Sequence, residues 1–228
     1  MIIKPSRKII SNQNGIHGDL EKILVSHREA PYRKPIAQHT MLAFEQAKSV
    51  IARQQAPLIL DSGCGTGKST VFLAQKYPGH FVIGIDKSLA RLSKNPSFDP
   101  LLGGAGVGQN FLLVRADLID FWRLAVQHNW QIDKHYLLYP NPWPKKNQIK
   151  RRFHGHPVFF DLIKLGRSFE LRSNWRIYVQ EFAMAFEFAT GIRAVVEKFP
   201  PNTQFISRFE KKYAESGHDL FKLMIERN

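Results

Sequence analysis

The sequence predicts an α/β fold: a mostly parallel sheet, doubly wound, with helices covering both faces. Three observations predict it. Apolar runs of strand length fall at 57–62, 81–86, 110–115 and 134–140, and segments of helical period near 67–76, 88–94 and 118–128 alternate with them. The first two runs each end in a carboxylate, Asp61 and Asp86, and the first continues into three alternating glycines, Gly63, Gly65 and Gly67. Regular alternation of strand and helix joins parallel strands by crossovers, and such sheets bind ligands beyond the carboxyl ends of their strands. Asp61, Asp86, Asp117 and Asn141 are all expected at those ends.

Taken in order, the chain opens with ~18 residues in which Asn12, Asn14, Gly15 and Gly18 stand among basic residues, the composition of a poorly ordered tail. A second basic segment, His27 to Pro35, is held extended by its prolines. Residues 1–37 are read as a basic N-terminal extension and 38–228 as one domain. A helix is expected from Gln38 to Arg53, with Met41, Phe44, Ala47, Val50 and Ile51 as its core stripe. Between the second and third strands, 95–109 reads as a loop because of Pro96, Pro100 and the glycine-rich run from Gly103 to Gly108. A later helix over 175–190 places Phe182, Ala185, Phe186 and Ala189 in the core and Glu181 and Glu187 on a solvated or packing face.

With 228 residues and 43% hydrophobic content the chain can bury one substantial core. No apolar run approaches the ~20 residues that span a bilayer, and the apolar part of Met1-Ile2-Ile3 is too short for a secretory signal. The single cysteine, Cys64, has no disulfide partner, and no Cys/His spacing suits a metal. A cytoplasmic protein without a metal is expected. Charge says more: 33 Lys and Arg against 19 Asp and Glu give a formal +14, which implies a polyanionic partner. Nucleic acid fits better than a membrane, because no basic amphipathic helix with a strong apolar face is evident.

Three ligand loops compete for the glycines. A P-loop needs a glycine where Ser62 stands, although Gly67-Lys68-Ser69 fits its end. A dinucleotide fingerprint needs Gly-x-Gly-x-x-Gly, and the spacing here is Gly63-x-Gly65-x-Gly67. Asp61-Ser62-Gly63-Cys64-Gly65-Thr66-Gly67 resembles, at every fixed position, the Asp/Glu-x-Gly-x-Gly-x-Gly loop of S-adenosylmethionine (SAM) methyltransferases. In that class the acid ending the second strand, here Asp86, grips the ribose hydroxyls.

The fourth strand runs into Tyr139-Pro140-Asn141-Pro142-Trp143-Pro144-Lys145-Lys146 and then Lys150-Arg151-Arg152. Prolines on both sides fix the backbone of Asn141. The five cations that follow suit phosphates, and Trp143 offers a stacking surface. With these residues in place, the chain from about Leu58 to its end resembles the tRNA (guanine-N7) methyltransferases, whose fourth strand ends in a Pro-Asp-Pro-Trp-like motif followed by a Lys/Arg-rich loop. The resemblance continues through Ala116-Asp117, Ser173 to Tyr178, Ser207 to Glu210 and a final strand near 219–227. It implies a Rossmann-like methyltransferase fold with an antiparallel C-terminal strand, SAM as cofactor, and tRNA as partner, with methylation of the variable-loop guanosine. Carried over residue by residue, it implies that Asp61, Gly63, Gly65, Gly67, Asp86 and Asp117 bind SAM and that Asn141 takes the catalytic position. Lys145, Lys146, Lys150, Arg151, Arg152, Asn174, Ser207 and Glu210 would contact the substrate. Oligomeric state stays open, with a monomer favoured.

Asn141 and Asn174 stand where the family has aspartates, and Ser207 where it has threonine. Asparagine keeps the shape and one acceptor oxygen but cannot act as a base. Guanine N7 carries an in-plane lone pair and no proton, so methyl transfer to it requires alignment and exclusion of water more than a base. Two rival readings remain: an amino-methyltransferase using an Asn-Pro motif, and a SAM-binding RNA-binding protein with little or no turnover. His154 and His156, the closest histidine pair, are read as part of the basic surface.

Overall fold

The structure is a computed structural model that describes residues 5–30, 32–98, 106–107, 110–201 and 204–227. It divides into two compact units.

The first unit comprises Lys34–Leu138, Lys164–Phe169 and Glu226–Asn228. Its strands are β1 (Leu58–Ser62), β2 (Phe81–Asp86), β3 (Gly106–Val107), β4 (Phe111–Arg115) and β5 (Ile132–Leu138), in the order β3-β4-β2-β1-β5. β1 is parallel to both β2 and β5, and β2 is parallel to β4. The helices are α2 (Gln38–Ile51), α3 (Lys68–Lys76), α4 (Leu89–Leu92) and α5 (Leu118–Gln127). β1 and β2 are buried along their whole length, which is why both read as unbroken apolar runs rather than alternating ones. Phe44 of α2 stacks on Trp130 and meets Phe121 of α5 edge-on.

The alternation expected from the sequence is present, with two local differences. Gly106–Val107, inside the stretch expected as a loop, pairs antiparallel with β4; the rest of 99–109 lies outside the described residues. On α2 the buried residues are Thr40, Ala43, Phe44 and Ala47, while Met41 is 46% exposed. The core stripe is therefore rotated from the one expected, because Thr40 turns inward to take the Asp117 N–H with its hydroxyl.

The second unit comprises Met1–Arg33, Tyr139–Ile163 and Glu170–Ile225. It holds α1 (Leu20–Glu29), α6 (Phe159–Leu162), α7 (Arg176–Thr190) and α8 (Arg208–Glu215) with β7 (Val196–Phe199), β8 (Leu220–Glu226) and most of β6 (Ser168–Ser173), ordered β6-β8-β7. β7 and β8 are antiparallel, in keeping with the antiparallel C-terminal strand expected. Tyr178, Phe182 and Phe186 on one face of α7 are fully buried with Phe159, Leu20 and Leu24.

The N-terminal segment is held rather than loose. Ser6 N–H donates to Ser216 Oγ, Ser11 Oγ to the Pro144 carbonyl, and the Lys146 N–H to Asn12 Oδ1. Gln13 is 4% exposed. This corrects the expectation of a poorly ordered tail for the described residues from Pro5 onward.

Candidate active site

The ligand cradle of the first unit is built at the end of β1. Asp61 is fully buried between Gly84 of β2 and Tyr136 of β5. Its Oδ2 accepts from Ser69 Oγ at 2.6 Å and Thr70 Oγ1 at 2.7 Å, both on the first turn of α3. Oδ1 is buried with no partner. Burial pushes the Asp61 carboxyl up to about 6, more than the two hydroxyl donors lower it. The turn between β1 and α3 runs through Gly63, Gly65 and Gly67 at φ of 79°, 61° and 73°, a region that only glycine enters freely. Asp86, 3% exposed, fixes that turn: its Oδ2 accepts from Gly65 N–H at 3.0 Å and its Oδ1 from Ser88 N–H at 2.8 Å. Arg91 lies 3.1 Å from the same Oδ1. Asp117 caps α5 by accepting from Ile119 N–H. Cys64 is buried, and burial together with Asp61 and Asp86 drives its thiol well above the usual range, so it is no nucleophile.

The proline loop that follows β5 in the chain belongs to the second unit. Tyr139 and Trp143, at its two ends, have φ of 52° and 44°, which costs a bulky residue energy that its surroundings must supply. Two clamps supply it. Tyr139 N–H donates to the Arg172 carbonyl at 2.8 Å and its hydroxyl to Glu210 Oε2 at 3.2 Å, while Arg172 pairs with Glu210 and Glu170. At the other end Arg152 donates from Nε and Nη2 to the Trp143 carbonyl at 3.1 and 3.0 Å. Arg152 is fully buried, and Glu181, Gln13 and the Lys145 carbonyl take its remaining donors. Glu181 also accepts from His154 Nε2 at 2.8 Å and His17 N–H at 3.0 Å.

Between the clamps, Asn141 is exposed and its Oδ1 accepts from Trp143 N–H at 3.3 Å. A backbone N–H can only donate, so it is the amide oxygen that is engaged, and the NH₂ group has no hydrogen-bond partner among the described residues. Lys145, Lys146, Lys150 and Arg151 are exposed, with the Arg151 guanidinium 4.9 Å above the Trp143 ring. Asn174 is half-buried with Nδ2 3.0 Å from His218 Nδ1, and Ser207 caps α8 by accepting from Glu210 N–H.

Three expectations are corrected. Arg152, expected on the RNA surface, is a buried strut, because it is the counter-ion that Glu181 requires. Glu210, expected to contact substrate, is 1% exposed and spent on Tyr139 and Arg172. His154 is fully buried and carries no surface charge: burial lowers its pKa more than Glu181 raises it. Glu181, expected on a solvated or packing face, lies on the packing side, at the centre of the buried network. Sequence reasoning also missed Ser69, Thr70 and Gln13; a hydroxyl pair in the helical turn that folds back on a strand-end carboxylate was the available signal for the first two.

A family model, Methyltransf_4, describing methyltransferases, matches residues 55–223, most of the chain. The chain belongs to this methyltransferase family. Among relatives, a protein of Pseudomonas paraeruginosa named tRNA (guanine-N(7)-)-methyltransferase is 29% identical over 185 residues, covering 76% of this chain and 72% of its own. One of the same name from Halorhodospira halophila is 28% identical over 189 residues, with 74% of each covered. Among solved structures, an antibiotic-related methyltransferase aligns over 80% of this chain and 94% of its own with a TM-score of 0.58 at 18% identity. The 16S rRNA methyltransferase KamB aligns over 85% and 96% with a TM-score of 0.52, also at 18% identity. Both are likenesses of fold alone.

As a member of this methyltransferase family the chain is SAM-dependent, and its cradle fits that group. A buried carboxylate oxygen without a partner is costly unless a ligand donor meets it, and the α-ammonium of SAM is such a donor. The glycine turn provides backbone that a nucleoside can approach closely. No helix among the described residues is long and apolar enough to cross a membrane, and no cluster of three or more metal-ligating side chains occurs among them.

Proposed function

We propose that the chain methylates N7 of a guanosine in tRNA, the variable-loop guanosine, using SAM. The observation that carries this reading is the shared name of its relatives, tRNA (guanine-N(7)-)-methyltransferase, over about three quarters of the chain. The formal charge of +14 and the four exposed cations after the proline loop agree with an RNA substrate.

In this reading Asp61 Oδ1 receives the α-ammonium of SAM, and Gly63, Gly65 and Gly67 admit its methionyl and ribose parts. Asp86 keeps lone pairs for the ribose hydroxyls, and Asp117 contacts the cofactor from the start of α5. Bound SAM supplies an electrophilic methyl on its sulfonium. The base is held through its Hoogsteen edge, where O6 and N7 are both acceptors. The outward NH₂ of Asn141 is matched to O6, which leaves the N7 lone pair free to attack. No proton leaves N7, so the loss of the family's aspartate removes no base the reaction needs. Lys145, Lys146, Lys150 and Arg151 take phosphates, and Asn174 and Ser207 line the substrate side.

The test is transfer of radiolabelled methyl from SAM to bulk unmodified tRNA with nucleoside analysis of the product. A 7-methylguanosine peak is expected. A methylated exocyclic amine would replace this reading by the amino-methyltransferase one, and SAM binding without product on any RNA would replace it by a binding protein.

A further inference from the structure

We propose that a groove between α1 and the 3-10 turn over residues 146–151 is a second RNA subsite, one that receives the phosphodiester backbone of the substrate through Lys22. This rests on the reading of the chain as an RNA methyltransferase and extends it to a helix that neither the motifs nor the sequence pattern singled out. The groove encloses about 590 Å³ and is lined by Lys22, His27, Lys146 and Lys150 together with His17 and Ser26. Among the described residues Asp19 is the one carboxylate in its lining, and it stands at the N-cap of α1, where the helix dipole favours a negative charge and offsets part of it.

Each wall has its own geometry. Lys22 and Ser26 are four residues apart on α1, so both project from one face of the helix. Lys146 and Lys150 begin and nearly end the facing turn, and both are exposed, as is Lys22. Hydrogen bonds flank the groove: His27 Nε2 of α1 lies 3.2 Å from the Gly155 carbonyl, in the next turn of the chain, and Lys146 N–H donates to Asn12 Oδ1, in the segment before α1. Burial lowers the His27 pKa, the hydrogen bond to the Gly155 carbonyl opposes that, and the nearby charge of Lys150 adds to the lowering. Exposed ammonium groups on two facing walls, with a serine hydroxyl beside Lys22 on one of them, are the donor set a phosphate chain requires.

A membrane is a poor fit, because the two apolar lining residues, Ile23 and Ile149, are half-buried and buried and leave no apolar face to insert. RNA is favoured because the groove is continuous in the chain with Lys145 and Arg151, the cations already assigned to phosphates.

The test measures tRNA affinity by fluorescence anisotropy between 50 and 200 mM salt for the chain of 228 residues and its Lys22→Ala, Lys22→Glu and Lys22→Arg variants. One lost phosphate contact lowers the salt slope by roughly 0.7–0.9 and weakens binding about five- to eightfold at 0.1 M salt. Lys22→Ala should show that loss, Lys22→Glu a larger one, and Lys22→Arg little, while SAM affinity is unchanged in all three. Equal slopes and affinities for Lys22→Glu and the parent would overturn the subsite, as would a parent chain that binds no RNA. The product nucleoside is a separate readout: if another base is methylated yet Lys22→Glu still weakens binding, the subsite stands and the N7 reading falls.

Discussion

Arg152 and Glu181 form an ion pair in which both side chains are wholly excluded from solvent, with Nη1 2.5 Å from Oε2. The pair is the hub of the second unit: Arg152 reaches the Trp143 carbonyl and Glu181 reaches His154, Gln13 and His17. Taking two charges out of water is costly, and their attraction returns that cost only when every remaining donor and acceptor is satisfied. What the pair accomplishes is placement, because it holds the positive-φ end of the loop that carries Asn141.

Removing one member is therefore expected to be severe. Glu181→Gln leaves a buried guanidinium without its counter-charge and should lower unfolding stability by ~3–5 kcal/mol, the range for a broken buried pair. Urea unfolding measures it. Replacing both residues, Arg152→Met with Glu181→Leu, should cost less than Glu181→Gln, while methyl transfer falls because the Trp143 carbonyl has lost its donors. Equal losses in both chains would mean that the pair contributes packing and not charge compensation.

Acid should unfold the protein from mildly acidic pH downward, and His135 is one reason. It is fully buried, its Nε2 2.8 Å from Ser62 Oγ, and Ser62 Oγ also accepts from Trp122 Nε1. Burial lowers its pKa from 6.5 to about 3. A histidine depressed in the folded state must stay neutral there, so its contribution is complete above pH 6.5 and declines as pH falls toward 3. Glu181 adds to the same trend below pH 4.5: burial would raise its pKa, but His154 and Arg152 outweigh that and hold it to about 2. A His135→Gln chain, with a non-titrating acceptor for Ser62, should lose stability less steeply between pH 6.5 and 4.5 than the parent.

Cofactor affinity should carry a pH dependence of its own. With Asp61 raised from 3.8 to about 6, the free protein gains stability by protonating it: that contribution is full below pH 3.8 and is lost as pH rises through 6. SAM requires the carboxylate, so its Kd should rise about tenfold for each pH unit below 6. Calorimetric titration with S-adenosylhomocysteine between pH 5 and 8 measures this. Asp61→Asn should bind more weakly and show no such slope. A parent Kd that is flat over this range would remove Asp61 from contact with the ammonium.

The same site makes a prediction that the glycine motif does not contain. A Cβ on Gly84 would lie 2.1 Å from Thr70 Oγ1, the hydroxyl that holds Asp61 Oδ2. Gly84→Ala should displace Thr70 and weaken S-adenosylhomocysteine binding at least tenfold, roughly the cost of one lost hydrogen bond to a charged group, although residue 84 belongs to no loop. Unchanged binding would show that Thr70 can move without Asp61.

The parts of this molecule that were legible in the sequence are those governed by local periodicity. β1, β2, β4 and β5 with α2, α3, α5 and α7 fall within a few residues of the runs that announced them. α1 was not legible, because only Leu20 and Leu24 are buried on it and its apolar residues, Leu20, Ile23, Leu24 and Val25, are too few to mark a long stripe. The cradle was legible as far as its carboxylates and glycines, which share one short segment. The clamps were not: Gln13, Arg152 and Glu181 are widely separated in the chain, and nothing local distinguishes a buried arginine from four exposed neighbours of like charge.

Asn141 offers the most direct test of how the base is held. Its Oδ1 is occupied by Trp143 N–H, so its outward group is a donor, whereas an aspartate at this place would present an acceptor. Guanine shows acceptors on its Hoogsteen edge and donors at N1 and N2 on the other. If the amide donates to O6, Asn141→Asp sets a carboxylate against a carbonyl oxygen, and kcat/KM for 7-methylguanosine formation should fall by ten- to a hundredfold, or ~1.5–3 kcal/mol of transition-state stabilisation. Asn141→Ala should lose less, since it removes the donor without adding repulsion, and neither variant should alter S-adenosylhomocysteine binding. A gain of activity in Asn141→Asp would reverse the assignment, placing the donors of the base at residue 141 and making this asparagine an attenuated form of the aspartate.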